Sequence, residues 1–331
     1  MEAPTIQSAR QYRGDLLEPL VLLRRALHER GENLPPDWPE QAEGELRSGK
    51  LLGWVVAQGN LPPKGLALLA LRSHRGFGQM HLWEGVDPKD GAVGLARTLL
   101  GSLPSTVRRI DLSLSAEDPA LEGSVVGLLQ PAGLDLELVT RLSMSLSLDV
   151  QNPPAGLPVP PGYRFVPALA LAVPLLAQVD FRAFEGGPDA GLVAETPEDN
   201  QRLLEGLLRG DLGAPLREGS PALLQDQDES HAHLVGFVLA LEESPHRALI
   251  ADVAVLPDHR RRGLGQALLA RSLRGLVALG FSQVTLWVTQ ANEPARKLYE
   301  RLGFRVDGQG HILRWTRPGG APAVPSGNPP A

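Results

Sequence analysis

The stretch QNPPAGLPVPPG, Gln151 to Gly162, constrains this chain more than any other. Closely spaced prolines remove backbone donors and fix φ, so neither a helix nor an interior strand can run through it. It reads as an extended linker that divides 331 residues into two segments of comparable size. The tail RPGGAPAVPSGNPPA, from Arg317 onward, has the same composition and is expected to be disordered. The expected organisation is a first domain over residues 1–150, a linker over 151–162, a second domain over 163–316 and a tail over 317–331.

The second segment alternates strand and helix signals. GYRFV reads as a strand, and ALALAVPLLAQVDF as an apolar helix with Pro174 near its start. In TPEDNQRLLEGLLRG, Thr196 is placed to cap a helix, Pro197 sits in its first turn and Gly210 stops it. Two strands around a polar turn follow in SPALLQDQDESHAHLVGFVLALEE, the second over His233 to Leu241. Next come the strand ALIADVAVL, the helix GLGQALLARSLRGLVALG, the strand QVTLWV and the helix EPARKLYERLG. The pattern FRVDGQGHILRWT predicts a closing hairpin around Asp307 and Gly308. The first segment fits the same order, also ending in a hairpin, at LSMSLSLDV; a repeat this long implies a duplicated domain.

Between a strand and a helix lies PDHRRRGLGQALL, Pro257 to Leu269. Glycines let the backbone curl with its amides inward, and the helix adds unsatisfied N–H groups and the positive end of its dipole. That combination suits a pyrophosphate, with arginine side chains for outlying phosphates. A dinucleotide fingerprint would need a third glycine where Leu268 stands, and a P-loop would need Gly-Lys followed by Ser or Thr. On composition alone, three arginines in a row would be a solvated face. What favours a site is the spacing Arg260-x-x-Gly263-x-Gly265 after a strand, followed by a second strand and NEPARKLYERLGF.

These linked patterns resemble the GNAT superfamily of acyl-CoA-dependent N-acyltransferases. Its cofactor motif is R/Q-x-x-G-x-G/A, and its second signature is matched by Asn292, Ala295, Leu298, Tyr299, Gly303 and Phe304. The tandem layout resembles that of the mycothiol synthases. The resemblance implies an α/β (α+β) fold of two tandem domains, each a mixed, mostly antiparallel sheet flanked by helices. It implies that the cofactor is acetyl-CoA, used as cosubstrate. Arg260, Arg261, Arg262, Gly263, Leu264, Gly265 and Gln266 would form its pyrophosphate cradle, and Val253 and Val255 would offer main-chain groups to the pantetheine arm. An amide near Val253 would polarise the thioester carbonyl.

Tyr299 matches the tyrosine that protonates the departing thiolate, although its helix spacing also suits packing. Asn292 matches a family position and is also placed to cap the last helix. A base is harder to find, because Leu249 holds the strand position where some members carry glutamate. Asp252, on the strand but facing opposite to Val253 and Val255, and Glu185, in DFRAFEGG, are the candidates. In the first segment Val86 and Pro88 stand where Val255 and Pro257 do, with Lys89 alone for the arginines and Glu117 in place of Asn292. That half is expected to be degenerate.

The function expected is transfer of acetyl from acetyl-CoA to a primary amine of a small-molecule or peptide acceptor. The alternative is a non-catalytic CoA-binding or interaction protein, which the missing base favours and Tyr299 opposes. A formal charge of −6 argues against nucleic acid, and the absence of cysteine excludes disulfides and thiolate chemistry. The most apolar run, Phe165 to Val179, is too short for a bilayer and holds Pro167 and Pro174, so no membrane partner and a cytoplasmic location are expected. Glu229, His231 and His233 read as a polar turn rather than a metal site. A homodimer is left open.

Overall fold

A computed structural model describes residues 5–318 apart from 30–33, 59–60, 73, 84–85, 88, 117–118, 150–157, 160, 191, 193, 195 and 229–230. Most of the expected linker and nearly all of the expected tail lie outside the described residues. The first half of the chain runs β1 (Thr5–Ser8), α1 (Leu17–Glu29), α2 (Trp38–Ser48), β2 (Leu52–Ala57), β3 (Gly65–Arg72), β4 (Arg75–Leu82), α3 (Gly94–Gly101), β5 (Arg109–Ala116), α4 (Pro119–Leu129) and β6 (Leu136–Ser147). The second half runs β7 (Tyr163–Pro167), α5 (Val173–Phe184), α6 (Pro197–Arg209), β8 (Pro221–Asp228), β9 (His231–Ser244), β10 (Arg247–Val255), α7 (Leu264–Ala278), β11 (Gln283–Thr289), α8 (Glu293–Arg301) and β12 (Arg305–Thr316). None of the described helices is long and apolar enough to cross a membrane.

The chain divides into two compact units, but not at the expected linker. One comprises Met1–Val139 with His311–Ala331, and the other Thr140–Gly310. In the first unit the strand order is β1-β2-β3-β4-β5-β12, with β4 and β5 parallel and the other pairs antiparallel. In the second it is β6-β11-β10-β9-β8-β7, with β10 and β11 parallel. Each half of the sequence therefore gives its closing strand, or part of it, to the other unit. From His311 onward β12 pairs with β5, and from Arg141 onward β6 pairs with β11.

Both expected closing hairpins are thereby corrected, since β6 and β12 are single long strands. A two-residue hairpin at Asp307-Gly308 would need positive φ, and neither residue has it. The Asp-Gly pair is read correctly as turn-forming in isolation. Here β12 runs on as one strand and pairs with β5 from His311, and that pairing outweighs the local preference.

Elsewhere local chemistry sets the boundaries. Thr196 Oγ1 accepts from the Asp199 amide at 3.1 Å, and Gly210 ends α6 in the left-handed conformation at φ 92°. Helix α7 buries Leu264, Leu268, Leu273 and Leu276 against β8, β9 and β10, with Arg271 and Arg274 exposed on the opposite face. Helices α5 and α6 cover the other face of that sheet, packing Leu176, Ala177, Val179 and Leu204 onto Phe237, Leu239 and Ala254.

The first unit holds β12 partly by charge. Buried Asp111 accepts from Arg75 Nη2 at 2.6 Å, from Arg314 Nε at 2.8 Å and from Arg109 Nε at 3.1 Å. Burial opposes ionisation of Asp111, but the three guanidiniums outweigh it and hold the carboxyl below the usual carboxylate range. Its contribution is therefore present above the unfolded pKa of about 4 and is lost as pH falls through the folded value. Asp111→Asn would take the acid away from two buried guanidiniums and a partly buried one and is expected to cost about 3–5 kcal/mol. Urea denaturation followed by tryptophan fluorescence checks this, and an unchanged midpoint contradicts it.

Candidate active site

The site begins where two parallel strands part. On one side β10 is paired with β9 from Arg247 opposite Ser244 to Val255 opposite Gly236. On the other it pairs with β11 only from Arg247 opposite Gln283 to Ile250 opposite Leu286. The register against β9 slips between Ile250 and Asp252, a bulge that bends the strand as the β11 ladder ends. Beyond it β11 stays paired with β6 as far as Thr289, while Ala251 to Val255 have no strand beside them on that edge.

Which main-chain groups face the parted edge follows from alternation. The Leu256 amide donates to the Val235 carbonyl of β9 at 2.9 Å. Two residues earlier the Ala254 amide also faces β9, so the amides of Val253 and Val255 face the opening. The Val255 carbonyl accepts from Arg260 Nε at 3.1 Å, which leaves Val253 as the freer of the two.

The chain then makes a short 3₁₀ turn, Pro257–His259, and enters α7 through two left-handed residues. Arg261 has φ 63° and Gly263 has φ 79°, with Arg262 between them at negative φ. Alternating handedness turns successive amides toward one point, the geometry of an anion-binding nest. Arg261 is a non-glycine held in a sparsely populated conformation, a strain typical of ligand clamps. No described residue accepts a hydrogen bond from the amides of Arg261 to Gln266; the first helical bond runs from Ala267 to the Gly263 carbonyl at 3.0 Å. Space for a ligand exists over the nest, since a Cβ on Gly263 would meet no atom within 4 Å. Gly265 serves packing: a Cβ there would lie 3.2 Å from Leu298 Cδ2 on α8.

The three arginines divide their tasks, which corrects the expectation that all would reach for phosphates. Arg260 also donates to the Ala183 carbonyl at the end of α5, and so ties the turn to both flanking elements. Arg262 donates to Tyr163 Oη at 3.2 Å and to the Asp258 carbonyl at 3.1 Å, while Tyr163 Oη lies 3.0 Å from His259 Nδ1. Burial and the neighbouring Arg262 lower the pKa of His259, keeping it neutral. Only Arg261 is exposed with no partner among the described residues.

Past the opening, Asp189 fastens the far wall. It accepts from Thr289 Oγ1 at the end of β11 and from Asn292 Nδ2 at 2.7 Å. Asn292 Oδ1 in turn accepts from the Ala295 amide at 3.2 Å, capping α8. Both ends of the Asn292 amide are thus engaged by protein, so it is a bracket rather than a reacting group.

Tyr299 lies buried on α8, its ring 5.9 Å from Phe304 in an edge-on contact. Its hydroxyl has no protein partner among the described residues. Burial raises the phenol pKa, and the charges of Asp189 and Asp252 add to this while Arg141 opposes them. Arg141 comes from β6; burial lowers its own pKa, and its Nε has no hydrogen-bond partner.

The two carboxylate candidates fare differently. Glu185 is exposed at the C-terminal end of α5 and faces solvent, which removes the reason for naming it. Asp252 keeps some solvent contact but lies deep among protein atoms, and its pKa is raised well above the ordinary value. Burial is the main cause, followed by the charge and contact of Asp180. Asp180 on α5 is 1% exposed, and neither of its oxygens makes a hydrogen bond of normal geometry. Burial pushes it up to about 6, with Asn200 and Asp252 pulling the other way.

The first unit differs. There β4 and β5 are paired from Arg75 opposite Arg109 to Leu82 opposite Ala116, a longer parallel ladder than that of β10 and β11. The segment ahead of α3 is a π-helical turn, Lys89–Val93, whose Gly91 amide donates to the Asp87 carbonyl at 2.7 Å. A Cβ on Gly94 would lie 2.4 Å from Ile6 Cδ1, so packed side chain fills the place of a cradle. Pro88 and Glu117 lie outside the described residues, as does Glu229.

Sequence reasoning missed Asp180, Asp189, Arg141 and Tyr163. One signal existed: Asp180 interrupts an otherwise apolar helical run, LLAQVDF, where a charge has no business unless it serves a purpose or sits at an edge.

Comparison with known proteins agrees with this geometry. The model of the GNAT acetyltransferase family matches residues 192–304. A mycothiol acetyltransferase of Clavibacter michiganensis subsp. michiganensis is 30% identical over 248 residues, covering 73% of each chain. One from Acidimicrobium ferrooxidans is 28% identical over 257 residues, covering 75% of this chain and 77% of that one. Among solved structures, a GCN5-related N-acetyltransferase from Sphaerobacter thermophilus aligns with a TM-score of 0.59 at 18% identity, covering 95% of this chain and 97% of its own. A tandem GNAT protein from the clavulanic acid biosynthesis pathway aligns with a TM-score of 0.55 at 16% identity, covering 94% and 98%. At those identities the structures show a shared tandem fold.

Asp180 also makes a stability prediction. Its folded pKa lies above the unfolded value of about 4, so the stability tied to its protonation is full below pH ~4 and is lost as pH rises through about 6. Asp180→Asn is expected to raise the melting temperature at pH 7.5 by several degrees, at about 2–4 °C per kcal/mol for a domain of this size. The gain should vanish below pH ~4. Calorimetric scans at both pH values test it, and a lower melting temperature at pH 7.5 refutes it.

Proposed function

The chain belongs to the GNAT acetyltransferase family, and we propose that its second unit transfers acetyl from acetyl-CoA to a primary amine of a small-molecule acceptor. One observation carries this reading: the unpaired edge of β10 from Ala251 to Val255 leads directly to a nest of unclaimed amides at the start of α7. An extended pantetheine arm needs strand-like partners, and a pyrophosphate needs converging donors; here the two requirements are met end to end.

In this reading the amides of Arg261 to Gln266 hold the pyrophosphate, and Arg261 reaches an outlying phosphate. Arg260 and Arg262 hold the turn in shape. Val253 offers its main chain to the arm, and its amide stabilises the oxyanion that develops on the acetyl carbonyl. Acetyl-CoA supplies a thioester, whose thiolate leaves readily once protonated. Tyr299 supplies that proton; its raised pKa keeps the phenol protonated until a thiolate forms beside it. Asp189 and Asn292 fix α8 against β11 and so set where the Tyr299 hydroxyl stands.

The first unit is read as non-binding, because its parallel ladder runs on to Leu82 opposite Ala116 and its helix start is filled. One acetyl-CoA per chain is therefore expected. The names of the relatives, mycothiol acetyltransferases, favour a small-molecule acceptor over a peptide.

Titration calorimetry with acetyl-CoA should give a stoichiometry near one. Gly263→Glu should abolish binding, because its side chain fills the open space over the nest with a negative charge, and because φ 79° strains any side chain by about 1–2 kcal/mol. Gly263→Ala, which adds only the strain, should bind with a modest loss. Unchanged affinity in Gly263→Glu, or two equivalent sites per chain, refutes the assignment.

Turnover is followed as release of free CoA thiol with a panel of amino sugars, diamines and aminoacyl amides. Tyr299→Phe is expected to lower kcat by about 10²–10⁴ with little change in acetyl-CoA affinity. Acetyl-CoA binding with no turnover on any amine would instead favour a binding protein that has lost its chemistry.

A further inference from the structure

Two acids of the second unit, Asp180 and Asp252, have no task in the reading above, although they lie against the same interface. Beyond the bulge, Asp252 shares a face of β10 with Ala254 by strand alternation. Ala254 packs in one cluster with Leu176, Ala177, Val179 and Ala183, which surround Asp180 on α5. Asp180 is sealed at 1% exposure and both its oxygens lack a hydrogen bond of normal geometry. An isolated buried carboxylate in that condition is costly, and two facing carboxylates are costlier still. A proton held between them removes most of the cost.

We propose that Asp180 and Asp252 share a single proton across the α5–β10 interface, and that Asp252 is the general base that receives the proton of the incoming amine. Asp180 is its positioning residue, and the base role rests on the acetyltransferase reading. The neighbouring groups fit. Asp252 is faced by Asp180 from α5, by Tyr299 from α8 and by the Val253 amide of its own strand. Asp180 is faced by Asn200 from α6, whose Nδ2 donates to the Ala177 carbonyl at 2.9 Å. Tyr299 is faced in addition by Asp189 and by Arg141. Asp252 thus stands between a sealed partner and the thiolate-protonating phenol, and of the two acids it alone retains solvent contact.

The step balances. The amine nitrogen forms its bond to the acetyl carbon as the carbon–sulfur bond breaks and sulfur keeps the electron pair. The proton leaving nitrogen goes to the Asp252–Asp180 monoanion. Sulfur takes its proton from Tyr299, and the acid pair returns one to the phenolate, so amide and free thiol leave the protein as it began. A pair with one proton serves as base at neutral pH and stops when both carboxyls are protonated.

The test uses the full chain, the amine panel above, and two variants. In the wild type kcat/KM should fall below about pH 6, where the pair takes up its second proton. Asp252→Asn should lose about 10²–10⁴ in kcat with unchanged acetyl-CoA affinity. Asp180→Asn should lower kcat less than Asp252→Asn does and move the acid limb to lower pH by about one pH unit or more, because the like charge is gone. A merely structural Asp180 would lower kcat without moving that limb. Carbon-13 NMR of labelled aspartate carboxyls supplies a readout that needs no turnover: one carboxyl of the pair should remain protonated at pH 7, and that signal should disappear in Asp180→Asn. Full activity in Asp252→Asn, an unmoved limb in Asp180→Asn, or two ionised carboxyls at pH 7 overturns the proposal. A wild type that acetylates none of the amines overturns the base role together with the function, and the spectrum then decides the shared proton alone.

Discussion

The parting of β10 from β11 after Ile250 is the constraint on which the second unit depends. A parallel pair normally satisfies both strands, and an interior strand left unpaired on one edge exposes donors that something must meet. Here the bulge at Ile250–Asp252 ends the ladder at a defined residue, while β6 keeps β11 straight and satisfied to its end. The opening is therefore held by strands on both outer sides. The first unit differs within one chain: its parallel ladder runs from Arg75 opposite Arg109 to Leu82 opposite Ala116, and the helix that follows begins against packed side chain.

Charge in the second unit is arranged around that opening. Cationic groups at its mouth mostly serve the turn, with Arg260 and Arg262 donating to main-chain carbonyls and to Tyr163. Backbone amides supply the converging donors, as suits a site that must recognise a phosphate by shape as well as by charge. Inside, acids dominate: Asp180 and Asp252 on the α5 side, Asp189 on the far wall. Asp189 is hydrogen-bonded and has a structural task, while neither oxygen of Asp180 has a partner of normal geometry among the described residues. In the first unit the same chemistry of burial is resolved by three arginines around Asp111, which fix β12 in place.

Much of this was legible along the chain. Arg260-x-x-Gly263-x-Gly265 marked the turn between β10 and amphipathic α7, and the caps of α6 followed from Thr196, Pro197 and Gly210, because these features act over a few residues. Glu185 misled because proximity in sequence to the acceptor region says nothing about which way a helix end faces. Asp180, five residues earlier, points inward, and its partner lies on a strand far along the chain. The closing hairpins misled for a related reason: Asp307-Gly308 is a good turn in isolation, yet the strand around it finds partners on both sides.

The sequence by itself determined the alternation of elements, the duplicated order, the glycine turn ahead of α7 and the helix that carries Tyr299. Each rests on short-range periodicity and backbone preference, which a single chain displays openly. Tertiary structure alone decided that each half gives closing strand to the other unit, that the ladder of β10 and β11 ends after Ile250, and that Asp180 on α5 is sealed from solvent. Those outcomes depend on pairing and burial between distant segments, where the competition among possible neighbours, rather than any local preference, fixes which donor or acid is left without a partner.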